Sequence, residues 1–213
     1  MEQQPIKIAV LGGSGKTGQY LVKHLLNFGH SLKVLVRNPE TFTIENPLLE
    51  VVQGNALDYN DIDKLISGCQ AVMSTIGNRK GEPPVSAPAT ENIIKAMTKY
   101  NIKRYIAITG LTINTPKDVK SRRIRFRSAL MRLLYPKVIE DKQHAYDLLS
   151  ESNLDWTLVR VPFIEFTGTR KYVQVGLHDC PGKMISSTDV SFFMADQLAD
   201  TKYIKEAPFI SNR

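Results

Sequence analysis

The sequence predicts an α/β fold: a doubly wound parallel sheet in a single domain over residues 1–213, with a small C-terminal region on the substrate side. Three observations carry this expectation. Short apolar runs alternate with amphipathic stretches along the chain, a glycine-rich turn follows the first apolar run, and a second strand returns at the distance of a strand-helix-strand unit. Right-handed crossovers would place helices on both faces of the sheet. Ligands of such sheets sit outside the carboxyl ends of the strands, so the residues just after each strand are the ones to follow.

The first apolar run, Lys7-Ile8-Ala9-Val10-Leu11, leads into Gly12-Gly13-Ser14-Gly15-Lys16-Thr17-Gly18, and Gln19 to Phe28 then reads as a helix. Glycines let the backbone turn tightly and approach a pyrophosphate, and the helix that follows offers unpaired N–H groups and the positive end of its dipole. Gly12, Ser14, Gly15, Lys16 and Thr17 are therefore candidate cofactor contacts, and Gly18 allows helix and strand to pack closely. Two registers overlap, Gly13-x-Gly15-x-x-Gly18 and Gly12-x-x-Gly15-x-x-Gly18. Gly15-Lys16-Thr17 copies the end of a P-loop, but the position where that motif needs its first glycine is Val10, inside the strand.

The second strand is Ser31 to Val36, and Arg37 stands at its tip. A protein selective for NAD usually carries Asp or Glu there to hold the ribose 2′-hydroxyl. A carboxylate would repel a 2′-phosphate, whereas a guanidinium can form paired charge-assisted hydrogen bonds with it, so the expected cofactor is NADP(H).

A third strand, Glu50 to Gln53, precedes a helix from about Tyr59 to Ile66, and a fourth runs from Ala71 to Thr75. Ala89 to Tyr100 has helical spacing, Arg104 to Thr109 is the fifth strand, Asp141 to Ser152 a helix, Asp155 to Val161 the sixth strand and Thr188 to Thr201 a late helix. The strand-end rule then assigns Asn55 and Ala56 to the adenine, Ile76 and Gly77 to the ribose and pyrophosphate, and Thr109, Gly110, Pro162 and Phe163 to the nicotinamide end.

The composition, 42% hydrophobic and 23% charged, is that of an ordinary folded protein. No apolar run approaches membrane-spanning length and the N-terminal residues lack a signal-peptide pattern, so a cytoplasmic protein with no membrane partner is expected. Cys69 and Cys180 lack the spacing of a disulfide framework or zinc site, and His178-Asp179 has no further ligands at fixed spacing, so no metal is expected. His24 and His30 read as surface residues, and His144 as an exposed or capped histidine. The net charge of +7 is concentrated: Lys117 to Arg132 holds seven basic residues against Asp118 alone. Arg122, Arg123, Arg125 and Arg127 form either a lid or anchor that draws anionic ligands toward the cleft or a solvated basic segment. Nucleic-acid binding ranks last, because stacking and groove-reading motifs are absent.

Taken together, Gly12 to Gly18, Val34-Leu35-Val36-Arg37, Gly77-Asn78-Arg79, Asn153-Leu154-Asp155-Trp156-Thr157, Pro162, and Met184-Ile185-Ser186 followed by Asp189-Val190 resemble the atypical short-chain dehydrogenase/reductases. The Gly12-x-x-Gly15-x-x-Gly18 spacing is the one those proteins favour, and the likeness extends to the flavin and biliverdin reductases among them. The resemblance implies a Rossmann-like fold, NADPH, a monomer, and hydride transfer to a small planar substrate such as flavin (FMN included), quinone or tetrapyrrole. Lys142 matches the lysine of the short-chain pattern, but Val138 stands where its tyrosine would be, and no Tyr-x-x-x-Lys occurs in the chain. Tyr135 and Tyr146 lie nearby without the required spacing. Gly110 and Phe163 occupy the places where the flavin reductases carry serine and histidine. Lys142 and Thr109 are thus the catalytic candidates, and Arg79, Gly110, Phe163 and Lys183 the substrate-side ones. The missing acids keep a second reading open, a non-catalytic NADP(H) sensor that resembles the NmrA-like regulators.

Overall fold

The computed structural model describes residues 4–78 and 81–213. β1 (Lys7–Leu11), α1 (Lys16–Asn27), β2 (Ser31–Val36), β3 (Leu49–Gln53), α2 (Tyr59–Ile66), β4 (Ala71–Ser74), α3 (Ser86–Lys99) and β5 (Arg104–Gly110) form the first half. α4 (Arg122–Leu134), α5 (Pro136–Glu151), β6 (Asp155–Val161), β7 (Phe163–Glu165), β8 (Val173–Gly176), β9 (Met184–Ser186), α6 (Ser187–Asp196) and β10 (Phe209–Asn212) complete it.

The main sheet has the order β3-β2-β1-β4-β5-β6-β10-β8, parallel except for β8, which runs antiparallel to β10 at the edge. The order reverses between β1 and β4, which is where a doubly wound sheet opens its crevice. Register levels the strand tips there: Leu11 sits opposite both Leu35 and Ser74, and Ser74 opposite Ala107. Gly12, Thr75 and the residues that follow β5 consequently emerge on one rim.

β1 is covered on both faces, which is why it reads as an unbroken apolar run. Ala9 and Leu11 join a core built with Ile62, Ile93, Met97 and Leu149 from α2, α3 and α5. Ile8 and Val10 join the opposite core, with Leu21 and Leu25 from α1 and Val190 and Met194 from α6. A parallel pair, β7 with β9, stands apart from the main sheet and sets Phe163 opposite Met184.

Several boundaries differ from the sequence expectation. α3 starts at Ser86, ahead of Pro88, because a proline in the first turn removes only an N–H that has no intrahelical partner. Its start is capped from another helix: Asp141 on α5 accepts the Ser86 and Ala87 N–H groups at 2.8 and 3.0 Å. α5 begins at Pro136 rather than Asp141, α1 begins at Lys16, and α6 ends at Asp196. The Ser186-to-Asp189 motif is a cap of α6, in which Ser186 Oγ accepts the Asp189 N–H at 3.0 Å and donates to Asp189 Oδ2 at 2.6 Å.

His24 and His30 are a correction, since both are buried. His24 faces α6, with its ring 3.7 Å from that of Phe192 and 4.7 Å from that of Phe28. Burial, followed by the charges of Arg170 and His30, holds the His24 imidazole down at about 4. His30 Nδ1 accepts the Ile6 N–H at 3.3 Å, and burial lowers its pKa as well. Cys69 and Cys180 are buried free thiols, and no helix among the described residues is long and apolar enough to cross a membrane.

Candidate active site

The glycine turn leaves room for no side chain at Gly12, Gly13 or Gly18. Gly12 has φ of +75°, and a Cβ there would lie 2.7 Å from the Thr75 carbonyl carbon. At Gly18 a Cβ would lie 2.0 Å from the Gly12 oxygen. A Cβ at Gly13 would lie 2.5 Å from Val34 Cγ1, so both overlapping registers are filled by glycines that the packing needs, and Gly12 alone of the turn glycines has positive φ. The Gly15 N–H donates to the Gly12 carbonyl at 2.9 Å, and Thr75 Oγ1 donates to the same carbonyl at 3.1 Å, fixing the turn to the tip of β4. α1 has no side-chain cap and no acid in its first turn, so its N–H groups and dipole favour an anion in front of them.

Two cavities meet over the strand tips. The larger, about 460 Å³, is lined by Gly12, Ser14, Gly15, Arg37, Asn55 and Ala56, among others. The smaller, about 310 Å³, is lined by Thr17, Thr109, Gly110, Lys142 and Pro162, with Ile164 beyond. Thr75, Ile76 and Gly77 line both, so the two form one trough across the switch point. Of the sequence candidates, Lys16, Phe163 and Lys183 line neither cavity, and Arg79 lies outside the described residues. Lys16 is exposed, with its ammonium 5.2 Å from the centre of the Phe166 ring. Phe163 is 65% exposed at the rim, its ring covered by the Arg127 guanidinium at 4.5 Å.

Arg37 has a partner that sequence reasoning missed. Its two terminal nitrogens donate to the carboxylate oxygens of Glu82 at 3.0 and 3.2 Å, and both residues line the larger cavity. The pair is about half exposed, so a phosphate arriving at Arg37 meets a carboxylate already in place. Nothing in the local sequence signals this, because Glu82 lies 45 residues away.

Among the described residues, the smaller cavity carries hydroxyls and the Lys142 amine, with no Asp, Glu or His lining it. Ser74, Thr75, Ser86, Thr90 and Tyr105 were not anticipated as part of it. The polar Ser74-Thr75 pair ending an apolar strand is the signal that could have found the first two. Burial pushes the Tyr105 phenol up to about 12 and lowers the Lys142 pKa, with Asp141 opposing the latter shift. Tyr146 points into the core, edge-on to Trp156 at 6.0 Å, and Tyr135 is exposed at the junction of α4 and α5. Neither lines the trough. Among the described residues no cluster of His, Cys, Asp and Glu could hold a metal; His178 Nδ1 instead sits 2.7 Å from the Lys117 carbonyl oxygen.

A parallel sheet with its order reversed beside a glycine turn and an uncapped helix start defines a Rossmann domain built for a dinucleotide. The chain belongs to the NAD(P)H-binding family, which it matches over residues 12–201. It is 25% identical over 164 residues to an uncharacterized chloroplastic protein of Arabidopsis thaliana, covering 72% of this chain and 58% of that one. It is 22% identical over 220 residues to the chloroplastic divinyl chlorophyllide a 8-vinyl-reductase of the same plant, covering 94% and 52%. The chain thus spans a little over half the length of these curated relatives. A short-chain dehydrogenase/reductase from Veillonella parvula, solved in complex with NADP, superposes with a TM-score of 0.79 at 18% identity over 98% of this chain and 95% of that one, a likeness of fold.

Proposed function

We propose that the protein is an NADPH-dependent reductase that delivers hydride to a planar acceptor such as a flavin, quinone or tetrapyrrole. The observation that carries the reading is the trough itself, in which a cavity suited to adenine and ribose runs through Thr75-Ile76-Gly77 into a second one floored by β5 and α5. The residues present fit a dinucleotide, since glycines at 12 and 18 let the turn close against Thr75 and against its own backbone in front of the uncapped start of α1. Gly12, Ser14, Gly15, Thr17 and the start of α1 would hold the pyrophosphate, and Arg37 the 2′-phosphate. Asn55 and Ala56 would flank the adenine, and Thr109, Gly110 and Pro162 would border the nicotinamide.

Bound there, NADPH supplies a hydride, two electrons and a proton nucleus, to the acceptor. Lys142 reaches the same cavity from α5, and burial makes its ammonium a readier proton donor than an exposed lysine. Because that cavity offers no carboxylate or imidazole, an acceptor whose reduced form can take its proton from Lys142 or solvent suits it better than an unactivated carbonyl. The vinyl-reductase relative supports reductase chemistry in general.

The test follows NADPH consumption by the purified protein with FMN, benzoquinones and biliverdin offered in turn. Acceptor-dependent oxidation that falls about tenfold or more in Lys142→Met, at unchanged NADPH affinity, is expected. No oxidation with any acceptor, alongside tight NADPH binding, would favour the sensor reading.

A further inference from the structure

α4 touches the body on one side only. Ile124 is its buried residue, Arg123 Nη2 donates to the carbonyls of Cys180 and Gly182 at 3.3 and 3.1 Å, and Arg127 lies over Phe163. The face turned away from Ile124 is apolar and exposed, with Arg123 and Arg127 along its inner edge. Phe126, Leu130, Leu133 and Leu134 follow one another at helical spacing and are 72, 45, 79 and 57% exposed. Arg122, Arg125 and Arg132 follow the outer edge of that stripe, and no Asp or Glu occurs between Ser121 and Ile139, while Lys137 adds a further cation.

We propose that α4 docks the protein on an anionic lipid bilayer, lying in the plane of the interface with its leucine and phenylalanine stripe among the acyl chains. An exposed apolar stripe bordered by arginines is the pattern of interfacial helices, whose long side chains bring their charges back to the headgroups. Other occupants match the surface less well. A nucleic acid would engage the arginines but leave the stripe in water, and a second copy packed on the same face would set like charges against each other along its borders. The expectation of no membrane partner rested on spanning length, which an interfacial helix does not need. Arg127 links α4 to Phe163, whose chain neighbours Pro162 and Ile164 line the smaller cavity, so docking would bring the trough close to lipid. Only this last consequence rests on the reductase reading, where it favours lipophilic quinones as acceptors.

The experiment is co-sedimentation of the full chain with phosphatidylcholine vesicles, with and without phosphatidylglycerol. Binding to the mixed vesicles alone is expected, weakening as salt rises. Leu133→Gln with Leu134→Gln should reduce the bound fraction by about tenfold, and Arg125→Ser with Arg132→Ser should also reduce it. An unchanged circular dichroism spectrum and melting temperature in both variants show that the fold survives. Failure of the wild type to sediment with anionic vesicles, or full binding by the leucine variant, overturns the proposal. So does light scattering that shows a dimer converted to monomer by the leucine substitutions, because the stripe would then be a self-interface.

Discussion

At the scale of single residues, the cofactor claim turns on Arg37 and the carboxylate it already holds. Glu82 satisfies the guanidinium in the same bidentate manner that a 2′-phosphate would, so the two compete for one fork of donors. Replacing Glu82 by Gln removes the competing charge and should tighten NADPH binding by about tenfold at low salt, with less effect on NADH, in a fluorescence titration. An equal gain for both nucleotides would show that Glu82 acts on the loop and not on the phosphate. A second residue-scale consequence concerns His24. Its folded pKa of about 4 lies below the ordinary 6.5, so the unfolded chain takes up the proton first; the folded state carries no penalty above 6.5 and loses stability as pH falls toward 4. His24→Phe should therefore show a smaller drop in melting temperature between about pH 7 and about pH 5 than the wild type. An identical drop would mean that other groups dominate. Arg37 was readable from its place after a strand and a glycine turn; Glu82 and the burial of His24 were not. Both depend on which distant segment folds back onto them.

The elements divide along a similar line. β1, β2 and α2 declared themselves because an unbroken apolar run or a strong helical period survives without knowledge of neighbours. β7 to β10, each of three or four residues, are too short for any period to register, and they exist because their partners hold them. α4 was legible as a charge run but not as a helix with one attached face. The segment leading into it is fixed by Asp118, whose oxygens meet Arg160 Nη1 at 2.6 Å and Lys120 Nζ at 3.2 Å, with both cations almost wholly buried. Burial pushes the Asp118 carboxyl up, and the hydrogen bond and charge of Arg160 outweigh it, leaving the pKa below the usual value. Asp118→Asn strands two buried cations and should destabilise the fold by about 3–5 kcal/mol in urea unfolding. A loss under about 1 kcal/mol would place these charges in water and contradict the arrangement.

For the whole molecule, the fold class followed from alternation and the site followed from the fold class, since a doubly wound sheet binds beyond its strand tips. What did not follow was the chemistry. The cavity beyond β5 is lined by residues from β4, α3, β5, α5 and the segment after β6, and its lack of carboxylate or imidazole emerges only when those elements assemble. In the proposed reading, this trough recognises NADP(H) through Arg37. Calorimetric titration of NADPH and NADH against the wild type and Arg37→Ala tests this. The wild type should prefer NADPH by about tenfold or more, and Arg37→Ala should lose most of that preference while still binding NADH. Equal affinity of the wild type for the two nucleotides, or an Arg37→Ala variant that binds NADPH as tightly as before, would contradict it.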